Sequence, residues 1–138
     1  MDCVLLAGRY TLLDTTAFTS GFLDACARKG VAVLAGGAFN SGFLAGGSRY
    51  DYRVADSGRV AARQALLEIC SRHSVALPAA ALQFTSAHPA VTSIVVGARS
   101  ASEVQEICQW SQAEIPAQLW SDLRHANLIP TQAPTPSN

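Results

Sequence analysis

Charge is scarce in this chain. Acidic and basic residues make up only 14% of it and cancel, 10 against 10. With no net field to draw a polyanion, nucleic acid and anionic lipid are disfavoured as partners. Lysine occurs once, at Lys29. Long apolar runs are also missing: none approaches the roughly 18 residues that span a bilayer, and the N-terminus lacks the charged and apolar regions of a secretory signal. Neither a membrane span nor a leader is therefore expected. Paired cysteines are absent as well. Cys3, Cys26, Cys70 and Cys108 lie far apart without a Cys-x-x-Cys pair, which argues against zinc and against a disulfide framework. Free thiols in a reducing, cytoplasmic setting explain them more simply, and no metal site is expected.

Hydrophobic residues, by contrast, make up 49% of the 138-residue chain, enough for the core of one ordinary domain. The stretch Ser93 to Ile107 carries the most local information. The run Ser93-Ile94-Val95-Val96 reads as a buried strand, because branched side chains pack well on a pleated surface. Gly97-Ala98 makes a turn, and Ser100 with Glu103 forms a Ser-x-x-Glu box that starts a helix. A strand, a tight turn and a helix N-terminus gather free amides and the positive end of a helix dipole, which suits an anion such as phosphate. Arg99 adds a planar cationic fork at the same place. The plainer alternative is a helix start beside a solvated arginine.

Two further strands precede it. Cys3-Val4-Leu5-Leu6-Ala7 and Val31-Ala32-Val33-Leu34-Ala35 are continuous apolar runs, the pattern of strands buried on both faces of a parallel sheet. Between them, Thr15 or Thr16 caps one helix carrying Phe18, Phe22, Ala25 and Cys26, with Gly30 as its left-handed stop. After Gly36 and Gly37 comes a long loop, Ala38 to Asp56, containing Gly42, Gly46, Gly47, Tyr50 and Tyr52; loops of that length usually have work to do or lack order. Asp56 or Ser57 then caps a helix reaching about His73. Pro78 opens another through Phe84, and His88-Pro89-Ala90-Val91 leads back to the third strand. A last helix spans about Pro116 to Ala126 with Leu119, Trp120 and Leu123 as anchors. Residues 1–130 thus read as one segment, and 131–138, with two prolines, as an unpacked tail.

Strands alternating with helices define an α/β class. Three parallel strands leave both sheet edges unpaired, whereas they serve well as part of a (β/α)₈ barrel, which needs about 250 residues. The chain is expected to be a partial barrel of this kind. The motifs Leu5-Leu6-Ala7-Gly8-Arg9-Tyr10, Gly37-Ala38-Phe39-Asn40-Ser41-Gly42-Phe43-Leu44, Tyr50-Asp51-Tyr52, Ala80-Ala81-Leu82-Gln83-Phe84, His88-Pro89-Ala90-Val91 and Val96-Gly97-Ala98-Arg99-Ser100, taken in order, resemble the aldo-keto reductases. The nearest branch is that of the NAD(P)-dependent aldose dehydrogenases, with pyridoxal 4-dehydrogenase as a relative.

The resemblance implies a TIM barrel of which this chain supplies strands six to eight with their helices, a C-terminal part. It implies a nicotinamide dinucleotide as cofactor and a sugar, small alcohol or aldehyde as substrate of the full-length enzyme. Phe39, Ser41 and Leu44 match positions that wrap the pyrophosphate, and Gly97, Ala98, Arg99, Glu103 and Glu106 match those that hold the adenosine end. Gly36 stands where many members carry an aromatic platform for the nicotinamide, and Ala7 where a glutamine commonly holds its amide. Glu103 leans the choice toward NAD over NADP, since a carboxylate repels a 2′-phosphate but accepts a hydrogen bond from a ribose hydroxyl; Arg99 pulls the other way.

The catalytic Asp, Tyr, Lys and His of the family lie on earlier strands, so no catalytic residue is assigned here. Lys29 ends a helix, His73 and His125 lie at helix ends, and His88 precedes a strand; each reads as structural. Tyr10, Tyr50 and Tyr52 either line a pocket or pack. Two other outcomes stay open. One is a non-catalytic partial barrel that assembles with a copy of itself or with a missing N-terminal part; the other is a nucleotide-binding module without redox activity.

Overall fold

A computed structural model describes residues 1–137. Three strands, β1 (Cys3–Ala7), β2 (Ala32–Gly36) and β5 (Val91–Val95), form a parallel sheet in the order β1-β2-β5. Helices connect them: α1 (Thr16–Thr19) and α2 (Phe22–Lys29) join β1 to β2, and α3 (Ser57–Arg72) and α4 (Leu77–Ser86) join β2 to β5. Two short strands, β3 (Arg49–Tyr50) and β4 (Arg53–Val54), make a hairpin in the loop after β2. After β5 come α5 (Ala101–Gln112) and α6 (Ala117–His125).

Local chemistry explains most boundaries. The Asp56 carboxylate accepts from the Arg59 amide at 2.8 Å and starts α3, Pro78 sits in the first turn of α4, and Gly30 at φ 65 stops α2. The single helix expected between β1 and β2 is instead two. Gly21 adopts φ 76 and breaks it, because a residue without Cβ enters the left-handed region at little cost.

The core lies where the helices meet. Leu66, Ile69, Cys70, Ala80, Phe84, Leu119, Trp120 and Leu123 are buried together, and Val33 and Ala35 point into them from the central strand. Tyr10 belongs to this core, its ring 5.1 Å from Phe84 and 5.7 Å from His88. The His73 Nε2 meets the Asp122 carboxylate at 2.8 Å and ties α3 to α6.

The sheet does not match the expected burial on both faces. Along β1 the side chains alternate, with Val4 and Leu6 packed against the helices while Cys3, Leu5 and Ala7 face outward. Leu5 is 63% exposed and Val95 on β5 is 52% exposed. Three strands with helices on one side cover one face only, so apolar content on the other side records what that surface suits rather than what covers it. Residues beyond 130 are not free of the body either. Ala133 is buried, and the Arg124 guanidinium donates to the Ala133 carbonyl at 3.1 Å and to Thr135 Oγ1 at 2.9 Å. Asn138, at the end of the expected tail, lies outside the described residues.

Candidate cofactor cleft

Because β1, β2 and β5 run parallel, the loops that follow them emerge along one rim of the sheet. Gly36 and Val95 are paired in register, so the turn after β2 and the turn after β5 are neighbours. The loop after β1 joins them: the Gly8 amide donates to the Gly36 carbonyl at 2.9 Å. At this base the backbones nearly touch. A Cβ on Gly37, which has φ +71, would stand 3.1 Å from the Gly8 nitrogen. Glycine is therefore required here for close approach as well as for backbone conformation.

Above this base lies a cleft of about 1100 Å³. Among the residues named from sequence, Phe39, Ser41, Gly97, Ala98, Arg99, Glu103 and Glu106 line it. Gly36 and Leu44 do not. Gly36 lies beneath the floor within β2, and Leu44 is buried in the core with its amide committed to the Phe39 carbonyl at 3.0 Å. Neither the side chain nor the amide of Leu44 is thus available to a ligand.

The wall after β2 is held in an unusual conformation. Asn40, Ser41, Asp51 and Tyr52 all have positive φ, which costs a residue with a side chain on the order of 1 kcal/mol or more. Two contacts close it on the cleft side: the Tyr52 amide donates to Ser41 Oγ at 3.0 Å, and Arg9 Nη1 reaches Asp51 at 3.0 Å and Asp14 at 3.2 Å. Its hydrogen bond to Asp51 holds the Arg9 guanidinium above its ordinary pKa, reinforced by both carboxylate charges.

The opposite wall is the turn into α5. Ser100 Oγ accepts from the Glu103 amide at 3.2 Å, as the Ser-x-x-Glu pattern requires. The reciprocal bond differs from the expected box, since Glu103 Oε2 accepts from the Arg99 amide at 2.6 Å rather than from Ser100. Glu103 Oε1 also meets Arg99 Nη2 at 3.3 Å. The Arg99 amide is the first reason that the Glu103 carboxyl sits below its ordinary pKa. Among the described residues, the amides of Gly97 and Ala98 have no partner within the chain.

Arg9, Asp51 and Trp110 also line the cleft and were not named as site residues from sequence. Trp110 meets Phe39 edge to face at 5.8 Å between centroids, a pairing across about seventy residues that no local pattern announces. Of the three tyrosines, Tyr52 alone lines the cleft, whereas Tyr10 is core and Tyr50 packs against Phe43. Lys29 ends α2, where its charge complements the helix dipole. No group of three metal-ligating side chains occurs among the described residues.

The donor set fits a dinucleotide. Unpartnered amides suit phosphate oxygens, Phe39 and Trp110 offer an apolar aromatic corner, and the volume accommodates the group with space left over.

Residues 1–128 match the model of the family described as "Aldo/keto reductase family". The chain is 40% identical over 133 residues to a pyridoxal 4-dehydrogenase of Microbacterium luteolum, an alignment covering 94% of this chain and 39% of that protein. It is 38% identical over 136 residues to a D-threo-aldose 1-dehydrogenase of a Pseudomonas species, covering 95% of this chain and 41% of that one. It therefore spans about two-fifths of the length of these relatives. The fold superimposes on the holo form of an aldo-keto reductase from Bacillus halodurans with a TM-score of 0.65 at 22% identity, covering 88% of this chain and 42% of that one. It also superimposes on a thermostable aldo-keto reductase in complex with the inhibitor epalrestat, with a TM-score of 0.62 at 17% identity, covering 89% of this chain and 39% of that one.

Proposed function

The chain belongs to the aldo/keto reductase family, and from that premise we propose that its cleft receives the adenosine and pyrophosphate half of a nicotinamide dinucleotide. In this reading the chain corresponds to strands six to eight of a (β/α)₈ barrel, and the catalytic Asp, Tyr, Lys and His belong to a portion outside it. The observation that carries the reading is the meeting of two amide-bearing turns, after β2 and after β5, on one rim of a parallel sheet. Ligands of parallel sheets bind at that rim because the strand ends, the following helix N-termini and their loops all converge there. Ser41, Gly97 and Ala98 then hold the phosphates, Phe39 and Trp110 flank the adenine, and Glu106 faces the ribose. Hydride exchange with a CH–OH or carbonyl carbon is the chemistry that such a dinucleotide supplies.

The charges of the cleft favour NAD over NADP. Arg9 is shared between Asp14 and Asp51, and Arg99 is held by Glu103. Both cations thus have a carboxylate partner within the chain, and the Glu103 carboxylate already occupies the Arg99 amide that a further phosphate would seek. The intact enzyme acts on a sugar lactol, or on a small alcohol or aldehyde, in a cytoplasmic setting. For the chain itself, no helix among the described residues is long and apolar enough to cross a membrane.

Calorimetric titration with NAD, NADP and AMP tests the reading. Binding of NAD and AMP, with NADP weaker, supports it; no heat from any of the three removes it. The purified chain is expected to produce no NADH from an aldose, and turnover above a blank refutes the assignment of the catalytic groups elsewhere.

A second reading rests on the open sheet face. Leu5 and Val95 are exposed, the outer edges of β1 and β5 are unpaired within the sheet, and α5 buries no residue. Such a surface fits assembly with another chain, either a copy or a separate N-terminal part. Light scattering on the eluting species distinguishes this, since a monodisperse monomer with sharp unfolding counts against it.

A further inference from the structure

Behind the wall that follows β2, on the side away from the cleft, two arginines of α3 form a ladder with two aromatic rings. The Arg63 guanidinium lies 4.9 Å over the Phe43 ring and donates to the Gly47 carbonyl at 3.1 Å. One helical turn earlier, Arg59 lies 4.4 Å over the Tyr50 ring and donates to the Leu13 carbonyl at 2.6 Å. The rings themselves meet edge to face, 6.3 Å apart. Neither arginine lines the cleft. Their partners are nonetheless the segments that form it: Phe43, Gly47 and Tyr50 belong to the wall after β2, and Leu13 to the loop after β1 that carries Arg9. Arg59 and Arg63 are spaced i, i+4 on a helix that starts from a well-made cap, so both forks are presented from a rigid support.

A wall with four side-chain-bearing residues at positive φ persists only when its surroundings over-determine it. The exposed Arg9–Asp51 pair is too weakly coupled in water to do this alone. Two cation–π contacts, one over the buried Phe43 ring, and two charge-assisted bonds to carbonyls brace it from behind. We infer that Arg59 and Arg63 are positioning residues that hold the wall after β2 in place against the loop after β1, and so set the affinity of the cleft for a dinucleotide. The part concerning affinity rests on the function proposed above; the part concerning the wall does not.

The test uses the full chain with Arg63→Met, Arg59→Met, Arg63→Lys and, as a control on the exposed side of the same helix, Gln64→Ala. Hydrogen exchange reads the wall directly. The Met variants are expected to speed exchange of the amides in residues 38–54 by tenfold or more while those of α3, α4 and α6 keep their protection. Calorimetry with NAD is expected to show at least tenfold weaker binding for the Met variants and partial recovery with Arg63→Lys, because lysine keeps the charge over the ring but loses the fork. Gln64→Ala is expected to change neither. Unchanged exchange in the Met variants overturns the inference whatever the chain binds, as does NAD affinity that stays constant while the wall loosens. If the unsubstituted chain binds no NAD, faster exchange still supports the brace and it is the dinucleotide reading that fails.

Discussion

The helical layer and the open side of the sheet are built from equally apolar residues, yet only one of them is finished. Trp120, Phe84, Leu66 and Leu123 lie at 0–1% exposure among α3, α4 and α6, while Leu5 and Val95 on the outer sheet face stand at 63% and 52%. Helix α5 sides with the unfinished half. It buries no residue, and Gln83 holds it through bonds to the Trp110 and Ala113 carbonyls at 3.1 and 2.7 Å. The contrast teaches that folding free energy in this chain resides in the helices behind the sheet. The cleft lies at the rim between the two regions and borrows rigidity from the finished one through Arg59 and Arg63.

Cysteine reports the contrast most strongly, because each region holds two. Cys26 and Cys70 are buried, whereas Cys3 on the sheet and Cys108 on α5 are exposed. With an aromatic disulfide reagent, Cys3 and Cys108 should react at rates typical of free thiols. Cys26 and Cys70 should be slower on the order of 1000-fold, since they react only through opening of the core. Burial pushes the Cys70 thiol up to about 11, so in the closed state it holds almost no thiolate and opening is its route to reaction. Comparable rates at all four sites would erase the distinction.

Truncation should divide the same way. Phe84→Ala, which removes a ring packed on Tyr10 and Trp120, should cost about 3–5 kcal/mol in denaturant unfolding. Leu5→Ala should cost less than about 1 kcal/mol in the same measurement, because its side chain leaves water only in part. A large loss at Leu5 would mean that its face is covered in solution and would favour self-assembly.

Acid should loosen the finished layer gradually. Burial holds His88 below the ordinary histidine pKa, although Asp24 at 3.5 Å opposes this. Its Nδ1 accepts the Ala90 amide at 3.2 Å, and a second ring proton would displace that bond. The folded-state pKa thus lies below the unfolded value of about 6.5, so the unfolded chain takes up the proton first. Stability from this group should be full above pH about 6.5 and decline as pH falls toward the lowered value. His88→Gln should flatten that slope, and an unchanged slope would place the sensitivity elsewhere.

The smallest effect is expected at the rim. Asp51→Asn removes one partner of a half-exposed pair and should cost about 0.5 kcal/mol, fading as salt is raised. A larger, salt-independent loss would show that the Arg9 clasp carries more of the wall than the ladder behind it.

Much of this was legible in the sequence. The three strands, the cap at Asp56 and the turn at Gly97-Ala98 follow from local pattern, and the order of motifs points to both turns that flank the cleft. The break at Gly21 was hidden because Phe18 and Phe22 continue one apolar face across it. Strand burial is not legible from composition because Leu5 and Leu6 look alike in sequence, although Leu6 faces the helices and Leu5 faces outward. Leu44 falls at a cofactor position by motif order, while its amide is consumed by a turn within its own loop. Trp110, Arg59 and Arg63 were silent because their roles come from contacts across the fold, which spacing along the chain does not encode.

The central claim is that this chain grips the adenosine and pyrophosphate end of a dinucleotide and nothing of the nicotinamide. Isothermal titration with NAD, ADP-ribose and nicotinamide mononucleotide tests it most directly. The account predicts that ADP-ribose binds within about twofold of NAD and that the mononucleotide gives no heat. NAD binding tenfold or more tighter than ADP-ribose, or measurable binding of the mononucleotide, would contradict it.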